Sequence, residues 1–209
     1  MADNNKMALS VPKKATSINA TICLDSSGDL RLQVGPEQYN FVICSKTMER
    51  TSKVWKKMLS GGFAESRALN TDAEWVIALP DDKPEPMLIV LNIIHSRFSS
   101  VPEKLTLWEL YEILVLTERY DVIEVTRPWA RQWMKCVRPT HSPLLMWITW
   151  ALGDATTFVV TVDMLVMRCT VDPDGRLVTP KGWYLDRPEL DALRPRDILG
   201  STTTTEIRL

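Results

Sequence analysis

Residues 87–94 read MLIVLNII, and only Asn92 in this run is polar. A helix written this way has no wet face and must be buried nearly all round, so the rest of the chain has to cover it. Asp81 and Asp82 stand where an N-cap belongs. Pro84 and Pro86 fit a first turn, where a missing N–H costs nothing. A second helix opens at Thr106-Leu107-Trp108-Glu109, a capping-box pattern. Its Leu107, Leu110, Tyr111 and Leu114 recur at helical spacing and leave Glu109, Glu112, Glu118 and Arg119 to water. Residues 79–121 are therefore expected to be the structural centre: two helices joined by a short Pro-containing link, with His95 closing the first.

The flanks supply what could cover this centre. Leu30, Leu32 and Val34 alternate with Arg31 and Gln33, the pattern of a half-buried strand. Gly35-Pro36-Glu37 is a turn, and Tyr39, Phe41 and Ile43 mark the returning strand of a hairpin. The period then changes. Met48, Val54, Trp55, Met58 and Leu59 are the apolar positions of one or two short helices, divided near Thr51-Ser52. Lys46, Arg50, Lys53, Lys56 and Lys57 are their polar remainder, and a solvated helix face accounts for them. Trp75, Ile77 and Leu79 predict a further strand leading into the centre. After it, residues 127–137 predict a helix with Pro128 in its first turn. Trp129, Ala130, Trp133, Met134 and Val137 form one stripe of that helix. Arg127, Arg131, Lys135 and Arg138 form another and are the candidate basic patch.

Pro139 and Pro143 bracket a linker, where a domain boundary is expected. Beyond it, residues 144–152 read as a Trp-rich helix ended by Gly153, and Asp154 caps the next. That helix runs to about residue 168, with Phe158, Val162, Leu165 and Val166 inward. Asp172-Pro173-Asp174-Gly175 is a turn, and residues 177–199 are expected to wrap over the helices. The division predicted is a flexible arm over 1–24, a domain over 25–138, a helical extension over 139–200 and a frayed tail over 201–209.

With 209 residues and 45% hydrophobic composition, a core can form without covalent staples. The net charge of -1 gives no whole-protein attraction to nucleic acid. Cys23, Cys44, Cys136 and Cys169 form no C-x-x-C pair and are expected to be buried free thiols of a reducing compartment. No apolar run reaches membrane length and no signal-type h-region is visible, so an intracellular protein of nucleus or cytoplasm is expected. His95 and His141 lack metal-type spacing. No nucleophile elbow, dinucleotide glycines or kinase signatures occur. No catalytic, cofactor-binding or metal-ligating residue is therefore nominated. The eight tryptophans are expected to be packing residues.

Taken in order, these pieces resemble a BTB/POZ domain of the filamentous-fungal type. Residues 28–35 (GDLRLQVG) with 39–43 (YNFVI) look like its opening hairpin. Ser45-Lys46-Thr47-Met48 and residues 51–59 (TSKVWKKML) resemble its helical pair, and Phe63-Ala64-Glu65 its F-x-E. Residues 79–95 are similar to the LPDDDPEAM…LLNIIH form, with Val101-Pro102 and Tyr120-Asp121 following. The later residues 146–154 (MWITWALGD), Phe158 and residues 174–177 (DGRL) belong to the same likeness. Trp55 stands where Phe is usual, Lys53 for Pro and Met48 for Leu.

The resemblance implies an α+β fold: a small sheet flanked by helical hairpins, followed by an all-α C-terminal extension. It implies no catalysis and no cofactor. The function implied is protein–protein interaction, with homodimerisation through Leu30, Leu32, Met48, Val54, Trp55 and Met58. The alternatives are an adaptor presenting substrates to a cullin-based ubiquitin ligase, with a cullin-facing surface near residues 98–107, or a transcription cofactor whose basic stripe contacts nucleic acid.

Overall fold

The computed structural model describes residues 21–66, 73–135, 137, 142–185 and 187–193. The chain divides into two compact units, residues 1–135 and 136–209.

In the first unit a hairpin of β2 (Leu30–Val34) and β3 (Tyr39–Ile43) lies at the middle of a four-stranded sheet of order β1-β3-β2-β4. Its antiparallel register sets Leu30 opposite Ile43 and Leu32 opposite Phe41. All four side chains are buried, so the alternation read from the sequence becomes one apolar face. β1 (Thr21–Cys23) pairs parallel with β3 and β4 (Val76–Leu79) parallel with β2. Thr21–Cys23 thus belong to the sheet and not to a flexible arm. The signal was weak because an edge strand of three residues carries almost no period.

Between β3 and β4 lie α1 (Ser45–Thr51) and α2 (Lys53–Ser60), separated at Ser52. Ser52 Oγ accepts the N–H of Trp55 and so caps α2. α3 (Pro84–Ile94) follows β4 and buries nine of its eleven residues. α4 (Leu107–Arg119) starts with the full capping box: Thr106 Oγ1 accepts from Glu109 N–H, and the Glu109 carboxylate accepts from Thr106 N–H. α4 also buries Ile113, Leu116 and Thr117, a wider face than the sequence pattern indicated. α5 (Arg127–Met134) ends the unit, with Pro128 in its first turn. The sheet, α2, α3 and α4 share one core that includes Phe41, Trp55, Leu91 and Ile113.

The expected N-cap of α3 is corrected. The cap residue is Lys83, with no side-chain hydrogen bond to the helix. Pro84 and Pro86 explain this, since they remove N–H groups that a cap would serve. The Asp82 carboxylate is free for other work, and Asp81 is exposed.

In the second unit α6 (Pro143–Leu152) is followed by α7 (Ala155–Val166). Gly153 between them has φ +71°, and Asp154 caps α7 by accepting the N–H of Thr157. The extension is not all-α. β5 (Thr170–Val171) and β6 (Leu177–Val178) pair antiparallel around the turn at residues 172–175. The Asp172 carboxylate accepts the N–H groups of Asp174 and Arg176, an Asx-type turn that favours a hairpin. A 3-10 helix, Pro188–Leu193, completes what is described.

Candidate interaction surfaces

Asp82 lies at the junction of α3 and α4. Its buried carboxylate accepts from the Arg119 guanidinium and from the Tyr120 hydroxyl. Burial, and then the carboxylate beside it, push the Tyr120 phenol far above its usual range, so Tyr120 remains a donor. Tyr120 continues the connection in two ways. Its carbonyl accepts from Ser52 Oγ, and its ring stacks on Trp55. The network thereby ties the N-termini of α2 and α3 to the C-terminus of α4. The polar atoms of Asp82, Tyr120 and Ser52 are engaged within the network, which suits a structural tie.

His95 closes α3 with both ring nitrogens engaged. Nδ1–H donates to the Leu91 carbonyl at 3.0 Å, and Nε2 accepts the Cys44 N–H at 3.2 Å. That pairing needs the neutral ring. Burial, the largest influence, depresses its pKa; Arg97 also lowers it, while the Leu91 hydrogen bond and Asp25 oppose the shift. His95 therefore anchors the start of α1 and the end of α3.

Four of the six residues expected at a dimer interface are corrected by their placement. Leu30, Leu32, Met48 and Trp55 are each at most 1% exposed, inside this chain's own core. They face inward because the sheet, α1 and α2 pack into one core with α3. Val54 is 37% exposed and Met58 half-buried, so these two reach the surface. Of the basic patch, Arg127, Arg131 and Lys135 are exposed. Arg127 pairs with Glu124 at 2.7 Å across open solvent, a contact worth at most about 1 kcal/mol. Arg138, His141 and Cys136 lie outside the described residues. Cys23, expected to be buried, is exposed, while Cys44 and Cys169 are half-buried; all three are free.

Other large side chains reach solvent where the sequence pattern did not place them. Phe98 is 54% exposed and packs on Trp129 at 5.9 Å between ring centroids, with the rings tilted by 51°. Trp108 is exposed beside Lys83 and Tyr111, so packing alone does not account for the tryptophans. The sequence signal for Phe98 was its setting, a lone aromatic among Ser96, Arg97, Ser99 and Ser100. In the second unit Trp150 and Phe158 line an apolar surface cavity of about 290 Å³ with Thr149, Gly153 and Ala155. Val166, expected inward, is exposed near the exposed Met167 at the end of α7. Among the described residues no group of three or more His, Cys, Asp or Glu is placed to hold a metal ion. Nor is any described helix long and apolar enough to cross a membrane.

No family model matches the chain, and no curated protein does.

Proposed function

We propose that residues 21–135 form a non-enzymatic protein–protein interaction module of the BTB/POZ kind. One observation carries the reading. A β-hairpin, a helical pair, a strand returned parallel to β2 and a second helical pair that begins with α3 follow one another in the order of the residues that carry the resemblance. The polar groups at the centre of this frame are engaged with each other, which leaves recognition to the surface.

Self-association is the first mode to test. A standard interface removes roughly 1,600 Å² from water. Static light scattering at micromolar concentration is expected to return twice the mass of one chain. A single-chain mass at all concentrations removes the dimer.

The adaptor reading has one observation in its favour, the exposed Phe98 held by Trp129 at the edge of the segment expected to face a cullin. Pull-down with a cullin is expected to lose signal in Phe98→Ser, and recovery of no cullin by the unaltered chain rejects this role.

A further inference from the structure

We propose that the outer face of the α1–α2 pair docks an acidic protein segment carrying an apolar side chain, supplied by a different polypeptide. The inference rests on the interaction-module reading and names the chemistry of the partner. Lys46, Arg50, Lys53, Lys56 and Lys57 are all exposed. Against Glu49 alone, these five cations leave a net +4 on two short helices of a chain whose total is -1. Lys46 pairs with Glu49 at 2.8 Å. Arg50, Lys53, Lys56 and Lys57 have no acid within ion-pair distance among the described residues. Along α2, Lys53, Val54, Lys56 and Lys57 share one arc, opposite the buried Trp55 and Leu59. Val54 is thus an exposed apolar side chain at the edge of this cationic arc, between Lys57 and the half-buried Met58.

Folding does not ask for this arrangement. A solvated face needs polarity, which Gln, Ser or Glu would supply equally. Neither helix has an acid in its first turn, and Lys46 and Lys53 stand there against the preference of the helix dipole. A second copy is the wrong occupant of this arc, because a twofold contact centred on it would oppose like charges, so the self-association proposed above has to use another surface. Nucleic acid fits less well. The α2 cations are lysines without the guanidinium fork, the arc offers no aromatic platform, and the whole chain is slightly negative.

Fluorescence anisotropy with the full chain tests this. The probes are a labelled peptide of Glu and Asp with one central Leu, its Gln/Asn counterpart, and a single-stranded oligonucleotide of equal charge. The acidic peptide is expected to bind best and to weaken as salt rises. Lys53→Glu with Lys57→Glu should reduce its affinity about tenfold or more. Val54→Ser should reduce it severalfold with the salt dependence kept. All three positions are exposed, and circular dichroism checks that the variants remain folded. Failure of the acidic peptide to bind overturns the proposal. So do equal binding of the neutral peptide, tighter binding of the oligonucleotide, and indifference to the charge reversal. A chain that self-associates but ignores the peptide defeats this inference alone. A chain that binds the peptide but neither self-associates nor engages a cullin defeats the two modes tested above.

Discussion

The ring of Trp55 lies 4.6 Å from that of Tyr120, centroid to centroid, with 16° between the planes. α2 and the end of α4 are joined by this stack, while the Tyr120 hydroxyl reaches the buried Asp82. Tyr120→Phe keeps the stack and removes the donor, leaving a buried carboxylate with Arg119 as its remaining side-chain partner. The expected loss is about 1–3 kcal/mol. Urea denaturation of the variant against the original chain measures it, and an unchanged midpoint would show that the network is not a tie.

Leu91 is fully buried in the middle of α3. Leu91→Asp places an unpaired charge there, at several kcal/mol, comparable to the whole stability of a domain. The variant is expected not to fold, by circular dichroism and by proteolysis. A soluble, protease-resistant Leu91→Asp chain would mean that α3 is not the centre.

His95 predicts a pH dependence. Its folded-state pKa is depressed below the ordinary 6.5, so the unfolded chain binds the proton more readily. The contribution of the neutral ring is therefore complete above pH 6.5 and declines as the pH falls below it toward the folded value. Protonation also puts a donor at Nε2 against the Cys44 N–H. Urea midpoints measured from pH 7.5 down to 5.5 should fall more steeply for the original chain than for His95→Gln.

Gly153 holds a left-handed conformation between α6 and α7, with φ +71°. No atom lies within 4 Å of the position a Cβ would take, so space is not the obstacle. Gly153→Ala should cost about 1 kcal/mol through backbone strain alone. Gly153→Asn should recover part of that, because Asn tolerates this region. Thermal melts of the three chains test the order Gly, Asn, Ala.

What the sequence reveals follows the range of the interactions. The α3 run, the Leu30–Val34 alternation, the Thr106–Glu109 box and the Gly153–Asp154 junction rest on contacts within a few residues, and each was legible. β1 was not, because its three residues are held by pairing with β3. Of the β5–β6 hairpin, only the Asp-Pro-Asp-Gly turn is visible in the sequence. Strands of two residues show no alternation to detect.

The candidate site divides the same way. The sequence alone determined that α3 must be buried, that the helices around it are amphipathic and that the cations of α1 and α2 form an outer face, since local period and side-chain polarity decide these. Only the tertiary structure decided that Leu30, Leu32, Met48 and Trp55 are buried within one chain, that Asp82 binds Tyr120 and Arg119 instead of capping, and that His95 needs a neutral ring. Those assignments depend on which distant groups share a low-dielectric interior. Burial and partner choice there are properties of the packed chain, which no single segment contains.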